Sequence, residues 1–226
     1  MESRLANLLR AVVDEYIETA EPVGSQSLVE RYGLEVSPAT IRNWFTELEA
    51  EGYLMQPHTS GGRIPTEKGF KTYIKLFVQS KPAAKREEQF LRKATAAPSE
   101  EDRQLKNMAK ALAELSGGAA VVGLPDAETF YTGLPQLFAQ PEFHDWQRVV
   151  SLTEMLDRLD ETFRLLRQRS LPEPYIAIGR ESYFGSACGA IFGSFDGNVI
   201  GILGPIRMDY QRNISLLHTA LELLDL

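Results

Sequence analysis

The stretch Ser37–Phe70 reads SPATIRNWFTELEAEGYLMQPHTSGGRIPTEKGF, and the fold turns on it. Ser37 is the type of residue that caps a helix by accepting a bond from a free first-turn amide, and Pro38 is pre-set for the first helical position. From there Ile41, Trp44, Phe45 and Leu48 fall on one side at helical spacing, while Ala39, Arg42, Asn43 and Thr46 fall on the other. The first face is core. The second is short and polar, and it offers an arginine and an asparagine, the side chains best shaped to pair with guanine and adenine edges in a major groove. Gly52 closes the helix, and Tyr53–Gln56 alternate as a strand does. His58-Thr59-Ser60-Gly61-Gly62 reads as a flexible tip before Arg63-Ile64-Pro65 returns. A helix followed by a hairpin with a basic tip is the winged-helix arrangement. By itself the stretch also fits an amphipathic helix and hairpin in an ordinary α+β domain.

The upstream sequence favours the winged helix. Leu5, Leu8, Leu9, Val12 and Tyr16 make a helical stripe; Ser25 opens a second, short helix with Leu28 and Tyr32 inward, and Gly33 ends it. Only Leu34-Glu35-Val36 then separates that end from Ser37, the tight connection a helix-turn-helix requires.

Several irregular words in this chain resemble one family. EPVGSQSL (Glu21–Leu28), SPATIRN (Ser37–Asn43), LEAEGYLMQPHTSGGRIPT (Leu48–Thr66) and Lys68-Gly69-Phe70 are similar to the signature of the heat-inducible transcription repressor HrcA family. Near the other end, LPQLFAQPEFHD (Leu134–Asp145) and GILGPIRMDY (Gly201–Tyr210) resemble its C-terminal motifs. The resemblance implies a GAF-like second domain, an inverted-repeat DNA target upstream of chaperone genes, and modulation by the chaperonin GroEL. Family members typically have a longer middle with an inserted dimerisation domain, whereas only Ala119–Tyr131 occupies that place here. The shortening leaves open how the chain dimerises and whether the second domain keeps a complete sheet.

With 226 residues there is room for two small domains, each burying its own core. No apolar run approaches a membrane span, and Met1-Glu2-Ser3-Arg4 leads into a polar-faced helix where a signal peptide would need an apolar one, so the expected location is cytoplasmic. The single cysteine, Cys188, excludes an internal disulfide and a Cys-cluster zinc site. A net charge of -7 argues against nucleic acid only as a whole-chain average. Between Arg63 and Arg86 the balance is basic, and on the helix after the wing Lys68, Lys71 and Lys75 share a face opposite Phe70, Tyr73, Ile74 and Phe77. Those lysines are placed to meet phosphates, or simply to be solvated.

The first domain is expected to end near Ser80, giving residues 1–80, with 81–98 as a charged linker or exposed helix and 99–226 as the second domain. In that second domain Ser99 is read as the cap of a helix carrying Leu105, Met108, Leu112 and Leu115. Ala119–Val122 reads as a strand and Leu124–Pro141 as irregular. Ser151 and Glu154 have capping-box spacing before a helical run from Leu152 to Leu166. Tyr175–Gly179, Cys188–Phe195 and Asn198–Leu203 read as strands, the last two joined by Asp196-Gly197, and a final helix carries Tyr210, Ile214, Leu217, Leu221 and Leu224. The fold class is therefore α+β: a winged helix-turn-helix followed by a sensor-like domain.

Catalytic chemistry is not evident. His58, His144 and His218 lack zinc-site spacing, Cys188 reads as a small buried thiol, and Gly61-Gly62 is followed by no Gly-Lys-Ser/Thr. Arg207 lies between a strand and a helix, where a ligand could bind or a packing cluster could form. No cofactor or metal is expected. The leading reading is a DNA-binding repressor acting as a homodimer. Arg42, Asn43 and Thr46 lie near base edges beside Ala39, Thr40 lies near a phosphate, and Ser25 and Gln26 hold the backbone. On the other side of the helix Arg63 probes a flanking minor groove from a wing tipped by His58, Thr59 and Ser60, with Lys68 and Lys71 on phosphates. The alternative is a protein-interaction or small-ligand module that uses the winged helix for docking.

Overall fold

A computed structural model describes residues 1–57, 61–95, 101–124, 128–168 and 174–225. They form two compact units, Met1–Val78 and Gln79–Leu226.

In the first unit, α1 (Ser3–Thr19) buries Leu5, Leu8, Leu9, Val12 and Val13. Helix α2 (Ser25–Tyr32) buries Leu28, and α3 (Pro38–Ala50) buries Ile41, Phe45 and Leu48. The start of α3 is set by its sequence: Thr40 N donates to Ser37 Oγ at 3.1 Å and Pro38 occupies the first turn. Two aromatic residues expected inside lie elsewhere. Leu28 fills the contact of the short α2, so Tyr32, one turn further along, is 37% exposed. Trp44 is half-buried at the rim, where the Arg4 guanidinium covers its ring at 5.7 Å.

The hairpin is shorter than its alternation suggests: β1 (Leu54–Met55) pairs antiparallel with β2 (Ile64–Pro65). A third segment completes it, because Val23 and Arg63 exchange both backbone bonds at 2.9 Å. That pairing explains Gly62, since a Cβ there would stand 2.3 Å from the Val23 carbonyl oxygen. Helix α4 (Glu67–Phe77) starts on Thr66, whose hydroxyl accepts from Gly69 N at 3.1 Å, and it buries Phe70 and Tyr73. Tyr73 Oη donates to Asp14 on α1 at 2.7 Å.

The second unit holds a five-stranded antiparallel sheet built from β3 (Ala119–Gly123), β4 (Thr129–Thr132), β5 (Tyr175–Ile178), β6 (Cys188–Phe195) and β7 (Asn198–Pro205), in the order β4-β3-β7-β6-β5. Counted within the unit this is 2-1-5-4-3, the GAF-like arrangement. The sheet is complete, and Ala119–Tyr131 supplies most of the hairpin that finishes one edge. At the β6–β7 turn, Asp196 and Gly197 have φ of 45° and 76°, as a tight hairpin of this twist demands.

Helices α5 (Lys85–Thr95), α6 (Glu101–Ser116) and α10 (Tyr210–Leu224) pack together on one side of the sheet. The other side carries α7 (Leu134–Phe138), a 3-10 turn (Pro141–His144), α8 (Trp146–Leu156) and α9 (Leu159–Arg167). Strand alternation makes the two faces: Cys188, Ala190 and Phe192 join Leu152, Leu156 and Phe163 in the core on the second side.

Four local expectations change here. Lys81–Pro98, where it is described, is more than a linker: it forms α5, a largely exposed helix that nevertheless buries Leu91 fully and packs on α6 and α10 in the second unit. Leu124–Pro141 contains β4 and α7. Ser151 does not open a helix, since Asp145 caps α8 earlier, its carboxylate accepting from Gln147 N at 3.0 Å. The helical run also breaks at Arg158 (φ -112°, ψ 21°), where the chain redirects so that α9 can lay Phe163 on the sheet. The cap expected at Ser99 lies outside the described residues.

Candidate nucleic-acid interface

The outward edge of α3 carries Ala39, Arg42, Asn43 and Thr46, all exposed, with Thr40 half-buried among them. They stand out because Ile41, Phe45 and Leu48 bury the opposite face. Within this edge the polar atoms are partly ordered. Arg42 Nε donates to Ser25 Oγ at 3.3 Å, so the first residue of α2 steers the arginine. Thr46 donates its hydroxyl proton to the Arg42 carbonyl at 3.1 Å, leaving a methyl group and acceptor lone pairs outward. Thr40 Oγ1 is 3.0 Å from Ser37 Oγ. Gln26, expected to hold the backbone, lies along its own helix and donates to Glu30 Oε1 at 2.6 Å.

Charge divides α3 along its length. Its first half holds Arg42; its last turns hold Glu47 and Glu49 and its C-cap is Glu51, all of which would repel phosphates if left bare. Neighbouring cations cover two of them: Arg4 lies 3.5 Å from Glu47, and Arg63 Nε lies 3.0 Å from Glu49 Oε1. This accounts for a departure from expectation. Arg63 does not extend from the wing; it folds back, 18% exposed, donating to Gly61 O at 3.3 Å with its guanidinium 5.8 Å from the centre of the Phe45 ring. The carboxylate and ring on α3 supply a better environment than solvent for a planar cation.

Lys68 is likewise engaged rather than free for phosphate. Its ammonium donates to the Glu51 carbonyl at 2.7 Å and sits 4.4 Å over the Tyr53 ring, closing the C-terminal end of α3. Lys71 is half-buried on the same helix, and Lys75 is exposed. His58, Thr59 and Ser60 lie outside the described residues. The sequence pattern gave no sign of the roles of Val23, Glu49 and Tyr53, because each acts through a partner distant in the chain.

In the second unit, aromatic rings pack in the core between the sheet and α7–α9. Phe192 lies 6.3 to 6.4 Å from Phe163, Tyr175 and Phe184. Arg207 makes no open site there. Its Nε and Nη2 reach the Glu142 carboxylate at 2.6 and 3.3 Å, Nη2 also donates to Gln140 at 2.9 Å, and both charged side chains are 11% exposed. The contact pins the motif at Leu134–Asp145 to the one at Gly201–Tyr210. Cys188 is 1% exposed and burial pushes its thiol up to about 12, which leaves it unreactive as a nucleophile. Among the described residues no cluster of three His, Cys, Asp or Glu is arranged for a metal, and no helix is long and apolar enough to cross a membrane.

Fold and site together define a winged helix-turn-helix protein with a GAF-like second unit. The family model described as "HrcA protein C terminal domain" matches residues 74–214. The chain belongs to the HrcA family. Relatives named heat-inducible transcription repressor HrcA include those of a Nocardioides species, 44% identical over 124 residues, and of Acidothermus cellulolyticus, 41% identical over 125. These matches cover 55% of this chain but only 36% and 37% of the relatives, so the similarity spans about a third of their length. A crystal structure of a protein described as hypothetical shares the fold at a TM-score of 0.78 and 19% identity, covering 99% of this chain and 97% of that one.

Proposed function

We propose that this chain is a sequence-specific DNA-binding repressor of heat-shock genes, which acts as a homodimer on an inverted repeat. The observation that carries the reading is the exposed Arg42–Asn43–Thr46 edge of α3, with Arg42 steered by Ser25 and the acidic end of the helix covered by Arg4 and Arg63. Such a helix enters a major groove by its N-terminal half, where arginine pairs with guanine, asparagine with adenine, and the threonine methyl with thymine. Membership of a family whose relatives are named heat-inducible repressors supports the target class. A two-fold dimer would set two such helices about one DNA turn, or a multiple, apart.

Modulation by the chaperonin GroEL is part of this reading and rests on the family alone. Selection of bound duplexes from a random pool, read beside the mass in solution, tests the proposal. A palindromic consensus and a dimeric mass are expected; absence of binding to any duplex at low salt would leave the docking-module reading in its place.

A further inference from the structure

Just past α4, the segment Gln79–Ala84 is held along α10 by side chains that imitate a strand partner. Gln79 N donates to Gln211 Oε1 at 2.9 Å, and Gln211 Nε2 donates back to Gln79 O at 2.7 Å. A glutamine carboxamide carries the same donor and acceptor pair as a peptide unit, so one side chain satisfies both backbone groups of one residue. Four residues on, Ala83 N donates to Thr219 Oγ1 at 2.9 Å, in a buried contact.

The spacing of these bonds is not arbitrary. An extended chain advances about 3.3 Å per residue, so residues 79 to 83 span about 13 Å. A helix rises about 1.5 Å per residue, so residues 211 to 219 span about 12 Å. Gln211, Ser215 and Thr219 recur every fourth residue on one face of α10, a polar row on a helix whose neighbouring positions 214, 216 and 217 are buried apolar residues. Ser215 Oγ donates to Gln211 O at 2.9 Å, fixing the row. Pro82, which has no N–H, falls where no donor is used. Arg212, reaching Glu87 Oε1 at 2.6 Å, holds the start of α5 to the same helix.

We propose that this glutamine and threonine row is a docking track for the segment leaving the winged helix, and that the docked segment sets the reach of the DNA-binding unit. Only Val78, whose amide still donates to the Ile74 carbonyl at 3.1 Å, separates the end of α4 from Gln79, so while the segment is docked no slack chain lies between them; on release, the six residues Gln79–Ala84 supply it. Docking therefore restricts which half-site spacings a dimer accepts, and release widens them. The consequence for spacing rests on the DNA-binding reading above; the docking itself does not.

Three forms of the full chain test this: wild type, Gln211→Ala combined with Thr219→Val, and Gln211→Glu. The last keeps size and the acceptor for Gln79 N–H but sets a carboxylate oxygen against the Gln79 carbonyl, so it undoes the clasp with little change in packing. Amide exchange at Gln79 and Ala83 is expected to quicken about ten-fold in the double variant, while Gln211→Glu, which loses only the bond to the Gln79 carbonyl, should give a smaller change confined to Gln79. Nuclear spin relaxation should then show residues 1–78 tumbling faster than residues 85–225, a difference larger than in the wild type. On duplexes whose half-sites are moved apart one base pair at a time, the variants should lose affinity at the preferred spacing and show a flatter profile, with single half-site binding unchanged. Faster exchange with unaltered tumbling and an unaltered spacing profile overturns the proposal, as do unprotected Gln79 and Ala83 amides in the wild type. If the wild type binds no duplex, the DNA-binding reading fails and the tumbling comparison alone decides for or against the docking track.

Discussion

Arg63 and Glu49 join the hairpin to α3: Arg63 Nε lies 3.0 Å from Glu49 Oε1, with the side chains 18% and 26% exposed. An arginine at a wing is commonly assigned to DNA, yet here its cation is spent within the protein. Arg63→Ala is expected to destabilise the first unit by about 1–2 kcal/mol, between the values of surface and buried pairs, and to lower duplex affinity without changing its salt dependence. Urea unfolding beside binding at several salt concentrations checks this; a salt slope reduced by about one phosphate contact would instead return Arg63 to the DNA.

Arg42 should behave in the opposite way. Exposed on α3, it contributes little to folding, so Arg42→Ala should leave stability within about 0.5 kcal/mol of wild type. On the selected duplex it should cost about 1–3 kcal/mol and relax the preference at one base position. Equal losses on cognate and scrambled duplexes would show that it touches only phosphate.

Lys68 caps the end of α3 through the Glu51 carbonyl and covers Tyr53. Lys68→Ala should speed amide exchange around residues 51–53 and reduce stability by about 0.5–1.5 kcal/mol. On the DNA-binding reading, Lys71→Ala should weaken binding to every duplex alike and flatten the salt slope. Exchange rates in Lys68→Ala that match wild type would remove the capping role.

The Arg207–Glu142 pair is deeply enclosed, so deleting one partner strands the other. Arg207→Ala should cost about 3–5 kcal/mol in the second unit, measured by chemical denaturation. A loss below about 1 kcal/mol would mean that water reaches Glu142 once the arginine is gone.

Cys188 and Tyr210 make stability fall in alkali. Burial pushes the Cys188 thiol from an ordinary 9.0 to about 12, and it raises the fully buried Tyr210 hydroxyl as well. Above pH 9 the unfolded chain releases the Cys188 proton while the folded chain keeps it. The unfolded state then binds fewer protons, and stability declines by about 1.4 kcal/mol per pH unit for this group until the folded value is reached. Because the Tyr210 contribution is common to both, stability measured by denaturation from pH 8 to 11 should fall more steeply with pH in wild type than in Cys188→Ala; identical slopes would mean the thiol is accessible.

Much was legible where local chemistry and periodicity agreed. Ser37 and Pro38 started α3, Gly33 ended α2, Asp196-Gly197 turned β6 into β7, and Ile41, Phe45 and Leu48 marked the buried face. Trp44 and Tyr32 were misplaced because helical spacing gives a direction and not a depth: both project from the right general side but reach past the contact that Leu28 and Phe45 complete. The split between α8 and α9 had no Gly or Pro to announce it and follows from the sheet that α9 must cover.

Taken alone, the order of residues determined that a helix-turn-helix, a glycine-bearing hairpin and an α+β unit would form, because caps, turns and apolar periods act over a few residues. Which cations remain available was decided only in three dimensions. Arg63, Lys68 and Arg207 look equivalent to Arg42 and Lys75 in sequence, but Glu49, the Glu51 carbonyl and Glu142 are brought to the first three from elsewhere in the chain. A charge meets its partner through space, and folding alone sets that distance.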